Sequence, residues 1–264
     1  MPGTRHAFWI RNGPELPPND VVELAVAAEE GGWDGVFLSD AVSEQHTEPL
    51  VQLAAVAART RRIHLGTWVV PLPARDAVTV ARQAAVVDQL APGRLVLGVG
   101  LGNEVEHTTL GVPRERLGEH LDASLEVLAS LLEGDAVTRH DEWFDLDEVR
   151  LNVVPQQRPP LLLGGTWPAR APMRRAGRWD GAAPFWSATA DGRTTQDDPE
   201  ARAQALREVV AYYREQAAPP GTVLVPRVSS WGEEWDALLA ELAVDWVLTG
   251  DTYDAGDLRA GPPR

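Results

Sequence analysis

The chain is predicted to fold as a closed (β/α)₈ barrel, an α/β architecture, and three observations point there. Eight short apolar runs, most ending in Gly or polar residues, alternate with longer runs of helical periodicity. The length of 264 residues is that of one such barrel. The stretch 61–104, RRIHLGTWVVPLPARDAVTVARQAAVVDQLAPGRLVLGVGLGNE, reads as strand, helix, strand and Gly-rich loop. Two strands joined by a crossover helix lie parallel, and their loops open on one face. One domain over 1–264 is therefore expected, with the Gly/Pro-rich 254–264 as a frayed tail. A doubly wound open sheet is the alternative, because periodicity does not report closure.

Each element has its own signal. Residues 6–10 form the first strand, closed by Asn12-Gly13-Pro14, and Asp20 suits the N-cap of a helix over 21–30 that Gly31-Gly32 ends. Residues 36–38 are the second strand, followed by Ser39-Asp40, and the Ala-rich 49–60 is helical. The third strand is 63–67, and Val78, Ala81, Ala85, Val86 and Leu90 then recur at helical spacing, as a helix covering that strand requires. Pro92-Gly93 ends that helix, and 95–99 is a fully apolar fourth strand running into Gly98, Gly100 and Gly102. A helix over 115–132 carries Leu117, Leu121, Leu125, Leu128 and Leu132 on one face, and 143–153 reads as a small extended excursion or hairpin. A fifth strand at 161–163 exits through Gly164-Gly165-Thr166 into a short helix near 169–176. A strand at 180–183, a polar loop at 187–199, a helix at 200–216, a strand at 223–228, a helix at 233–242 and a strand at 246–248 complete the series.

Composition narrows the function. Hydrophobic residues make up 44% and charged residues 24%, an ordinary globular balance. No apolar run approaches the roughly 18 residues that span a bilayer, and MPGTRHAFWIRNG contains no extended apolar segment, so a cytoplasmic protein is expected. The absence of cysteine excludes disulfides, thiolate zinc sites and a cysteine nucleophile. A formal charge of −15 repels a nucleic-acid backbone, although a small anionic cofactor needs only local donors.

The chemistry-bearing residues cluster at predicted strand ends. Gly98-Val99-Gly100-Leu101-Gly102-Asn103 has the glycines of a dinucleotide fingerprint without the later acidic residue, and reads better as backbone passing close to a planar ligand. Asn103, Glu104 and Glu106 follow at once, either to contact a ligand or to cap the loop and the next helix. Gly164, Gly165 and Thr166 between a strand and a helix offer N–H groups and a hydroxyl to a phosphate, with Arg170 a turn later, or else make a structural turn. Asp40 and Thr67-Trp68 also fall at strand ends and read as active-site lining, or, for Asp40, as a helix or loop cap. His46 and His107 sit in predicted loops on that face and are the titratable candidates near neutral pH, whereas His64 lies within a strand. Trp9, Trp68, Trp167, Trp186 and Trp231 fall at or just past strand ends, which suits either a pocket for a flat aromatic ligand or plain packing. No G-x-S-x-G elbow and no metal-ligand spacing is present.

Taken in order, AAEEGGWDGVFLSD, PLVQLAAVAARTRRIHLGTWVV, ARQAAVVDQLAPGRLVLGVGLGNEVE, LGV and RPPLLLGGTWPARAPMRRAGRWDGAAP resemble the bacterial luciferase-like superfamily of flavin-dependent oxidoreductases. The resemblance implies a (β/α)₈ TIM barrel with FMN, or the deazaflavin F420, at the C-terminal strand ends. It implies that Gly164, Gly165 and Thr166 hold the cofactor phosphate, and that Thr67, Trp68 and Val69, with Gly100, Gly102 and Asn103, pass along the isoalloxazine. It also implies a non-proline cis peptide at about Trp68–Val69 and a homodimer through helices flanking the early strands. Many relatives carry Asp-His after the second strand where this chain has Asp40-Ala41, so the proton donor is unassigned unless His46 reaches back. The long insertion near the seventh strand is shortened. The activity implied is an FMN-linked monooxygenase, with a flavin reductase as partner, or an F420-linked reductase, acting on a small organic substrate. The alternatives are a flavin-binding protein without turnover and a phosphate-ligand barrel unrelated to flavins.

Overall fold

The computed structural model describes residues 3–196, 198–217, 219, 221–227, 233–250 and 254–262. In chain order the strands are β1 (Arg5–Ile10), β2 (Gly35–Leu38), β3 (His64–Thr67), β4 (Val70–Pro71), β5 (Leu95–Gly100), β6 (Val137–His140), β7 (Asp145–Val149), β8 (Leu161–Trp167), β9 (Gly181–Trp186), β10 (Thr222–Arg227) and β11 (Trp246–Thr249). The helices are α1 (Pro18–Glu30), α2 (Pro49–Arg59), α3 (Ala77–Leu90), α4 (Glu104–Leu110), α5 (Leu117–Glu133), α6 (Arg170–Ala176), α7 (Pro199–Gln216), α8 (Glu233–Glu241) and α9 (Ala255–Arg259). The parallel sheet runs β3-β2-β1-β11-β10-β9-β8-β5, and Leu65 and Gly66 of β3 pair with Leu95 and Val96 of β5 to close it. The predicted barrel is thus the observed one. The two residues of β4 add to the end of β5, and β6 and β7 form an antiparallel hairpin that starts earlier than the 143–153 expected.

Closure is supported from inside and outside. The interior is filled by Ala7, Phe37, Trp68, Val96, Leu162, Ala183, Leu224, Trp246 and Leu248, alternate residues of neighbouring strands. A Cβ on Gly66 would overlap the Phe37 ring, so that glycine is what admits an aromatic side chain to the middle of the barrel. The other strand faces pack against the helices in one larger cluster. Acidic side chains start α2, α3 and α7: Glu48, Asp76 and Asp198 accept from Val51 N, Thr79 N and Ala201 N at 2.6, 2.6 and 2.9 Å.

Four expectations need correction. Asp20 lies inside the first turn of α1 rather than capping it, because Pro17 takes the N-cap and Pro18 the first helical position. On α3 the buried stripe is Ala77, Val80, Ala81, Ala84, Ala85, Val87 and Asp88, with Val86 and Leu90 exposed. Small alanines make up most of that stripe and let the helix approach the sheet closely, while Val86 and Leu90 point away. Gly164-Gly165-Thr166 is not an exit loop, since β8 continues to Trp167 in register with Ala183, Pro184 and Phe185 of β9. The segment expected to fray contains α9, whose Leu258 is buried and accepts a 3.0 Å hydrogen bond from Trp33 Nε1. Val228 and Trp231, placed in and after the seventh strand, lie outside the described residues.

Candidate active site

The C-terminal ends of β2, β3, β5 and β8 surround a cavity of about 490 Å³. One wall is backbone. The peptide between Trp68 and Val69 is cis, at the position the family resemblance implies. Val69 projects against Gly100 and Gly164, where an added Cβ would come within 3.2 and 3.1 Å of its methyl groups. Glycine at both positions leaves the wall smooth and flat. Beside it, the Trp68 and Phe185 rings meet at 4.7 Å, and buried Trp68 Nε1 has no partner.

The β8 segment meets this cavity with an open edge. Its pairing to β5 ends at Leu163, whereas its pairing to β9 runs on to Trp167. Backbone groups of Gly164–Thr166 on the β5 side are therefore available to a ligand although the segment is a strand. Gly165 is required for another reason: a Cβ there would overlap Pro172 of α6. Thr166 is exposed into the cavity mouth.

Opposite these lies a buried acidic cluster. One Asp40 oxygen pairs with Arg75, which also reaches Glu48 at 3.4 Å, while Oδ2 is buried without a partner. Burial outweighs the Arg75 guanidinium and pushes the Asp40 carboxyl up to about 6. Glu106 is 2% exposed and accepts from Ser43 N and Oγ at 3.2 and 3.3 Å. The His46 ring is buried too, its Nε2 at 3.5 Å from Glu44 Oε2 and its Nδ1 unpartnered. Burial holds its pKa below the usual histidine value.

The structure brings Asp40, His46, Trp68, Val69, Gly100, Gly102, Asn103, Glu106, Gly164, Gly165 and Thr166 to one cavity. Asn103 also caps α4 by accepting from Glu106 N at 2.9 Å. Other expected members are elsewhere. Thr67 is fully buried and donates its hydroxyl to the Gly98 carbonyl at 2.8 Å, bracing β3 against β5. His107 is in α4, not a loop, and its Nε2 lies 2.8 Å from the Leu101 carbonyl, which ties down the Gly100–Asn103 turn. Glu104 points to solvent and pairs with Arg114 at 2.6 Å. Arg170 lays its guanidinium over Tyr212, 5.2 Å from the ring centre. The α6 cation that lines the cavity is Arg175, held by Asp122 at 2.7 Å. Its signal was the basic run Arg170, Arg174, Arg175, from which sequence alone picks no member. Among the tryptophans, Trp9 and Trp68 line the cavity, while Trp167 bonds Glu208 at 3.2 Å and Trp186 packs 6.2 Å from Trp235.

These residues fit a flavin. The Val69 wall suits a fused planar ring, Trp68 Nε1 and Asp40 Oδ2 offer an unused donor and acceptor, and the β8 edge with Thr166 Oγ1 suits a phosphate. Comparison with known proteins agrees with this geometry. A family model described as luciferase-like monooxygenase matches residues 4–253. An F420-dependent glucose-6-phosphate dehydrogenase of Nakamurella multipartita is 36% identical over 180 residues, covering 62% of this chain and 51% of that protein. The chain thus spans about half the length of that relative. Among solved structures, an F420-dependent secondary alcohol dehydrogenase superposes with a TM-score of 0.75 at 16% identity, over 98% of this chain and 97% of the other. A type II Baeyer-Villiger monooxygenase of Pseudomonas putida, in complex with FMN, gives 0.67 at 19% identity, over 86% and 67%.

Proposed function

The chain belongs to the luciferase-like monooxygenase family, and on that premise we propose that it is an oxidoreductase that holds FMN or F420 at the barrel mouth and acts on a small organic substrate. The observation that carries this reading is the wall in which Val69 stands between Gly100 and Gly164. When bound, the cofactor supplies two-electron redox chemistry. Val69 and the two glycines orient its ring. The open β8 edge and Thr166 Oγ1 take its phosphate. Asp40 holds or releases a proton at its unpartnered Oδ2, since a carboxyl that titrates at about 6 exchanges protons readily near neutrality.

The test is equilibrium titration with FMN and, separately, F420, following quenching of each ligand's fluorescence. Thr166→Glu places a carboxylate beside the phosphate position on an exposed side chain. It is expected to weaken the retained cofactor about tenfold or more while riboflavin, which lacks phosphate, binds as before. Binding of neither cofactor at micromolar concentrations refutes the reading.

A further inference from the structure

A second cavity of about 710 Å³ adjoins the first, between the end of β1, the segment after it and α1. The two share Trp9, Arg11, Glu44 and His46, so one set of side chains borders both. We infer that this second cavity is the substrate chamber, and that it takes a largely apolar molecule that is neutral or cationic, not a phosphorylated one. The inference rests on the redox cofactor occupying the first cavity.

Two features argue for it. The chamber wall is mainly apolar, through Phe8, Ile10, Pro14, Leu16 and Leu24. The charges lining both cavities are the carboxylates Glu15, Glu44, Asp40 and Glu106 against two cations, Arg11 and Arg175. Each cation already has a carboxylate: Arg11 pairs with Glu44 at 2.9 Å and Arg175 with Asp122 at 2.7 Å. In the second cavity a phosphate dianion would meet Glu15 and Glu44, with Arg11, the guanidinium among its described lining residues, already paired, at a cost in desolvation and repulsion. The charge is also divided in space. Arg175 stands on the β8 side, where the cofactor phosphate would lie, and Glu15, Glu44 and Asp40 stand on the β1–β2 side. His46, its ring buried and its Nε2 3.5 Å from Glu44, sits at the junction of the two cavities.

Saturation-transfer NMR with benzyl alcohol, benzylamine and benzyl phosphate tests this on the protein loaded with whichever cofactor it retains. The alcohol and the amine are expected to bind and the phosphate to give no signal. Leu16→Trp should abolish both while cofactor quenching persists. Glu15→Arg, at an exposed position, should weaken the amine about tenfold relative to the alcohol. Benzyl phosphate binding as well as the amine, alcohol binding unchanged in Leu16→Trp, or silence from all three ligands would overturn the inference. Failure of the cofactor reading shows separately, as absence of FMN and F420 quenching, whatever the benzyl series does.

Discussion

Asp40 and Arg75 form a pair in which one carboxylate oxygen meets the guanidinium and the other, equally buried, meets nothing. An arginine contact ordinarily lowers a carboxyl pKa, so a net rise means that lost hydration is the larger effect here. The unmet oxygen is shut off from solvent, in a residue that contributes to the cavity lining.

That rise has a sign that stability measurements can read. From 3.8 in the open chain to about 6 in the fold, Asp40 binds its proton more tightly when folded. Stability from this group is complete below about pH 4 and lost as pH rises through 6, by about 3 kcal/mol at an order-of-magnitude level. Asp40→Asn is therefore expected to match the parent near pH 4 and to exceed it at pH 8 in urea denaturation. Turnover should fall, and the limb of its pH profile near 6 should disappear. A variant less stable than the parent at pH 8 would mean that the Arg75 contact outweighs burial.

The half-buried histidines work in the opposite direction. Desolvation holds the pKa of His6, His46, His64 and His120 below 6.5. Their unfolded forms take up protons first, so the stability they confer is present above pH 6.5 and is lost as pH falls through their folded values. Net proton uptake on unfolding, measured by potentiometry just below pH 7, where Asp40 is already mostly ionised in the fold and releases little, should be positive. Uptake near zero would show that these rings protonate freely in the fold.

Gly66 offers a test of how the barrel interior is filled. Because a Cβ at this position would overlap Phe37 and both residues lie between strands, neither can move aside cheaply. Gly66→Ala is expected to cost about 1–3 kcal/mol, read as a lowered thermal midpoint. Gly66→Ala combined with Phe37→Leu should recover part of it, since the smaller side chain makes room. An unshifted midpoint in the single variant would mean the interior is looser than the packing implies.

Strand and helix periods made the alternation legible in the residues, whereas closure rests on the pairing of β3 with β5, which periodicity does not report. Glycines at strand ends likewise marked the backbone wall of the site, because few other residues leave such a surface. Side-chain direction was not legible. Thr67 and Trp68 are adjacent, yet one braces β5 and the other lines the cavity, and only the strand pleat decides between them. The choice of Arg175 over Arg170 follows from the pitch of a short helix against β8, with Tyr212 of α7 drawing Arg170 away. The acidity of the second cavity emerges only when the chain after β1 and the chain after β2 converge and bring Glu15 and Glu44 together.

The misread face of α3 leads to the last prediction. Val86 and Leu90, four residues apart and so on one side of the helix, are 47% and 49% exposed. Gln89 reaches across to the Val154 carbonyl at 2.7 Å, which brings Val153 and Val154, 45% and 40% exposed, to the same surface. Scattered apolar residues are normal on a surface, but four gathered in one place are what a second copy would cover. The wild-type chain is expected to sediment as a dimer at micromolar concentration. Val86→Glu with Leu90→Glu should give monomers whose thermal midpoint at low concentration is unchanged, because neither side chain belongs to the core. A wild-type chain that stays monomeric across the accessible concentration range would show that α3 turns these residues to water alone.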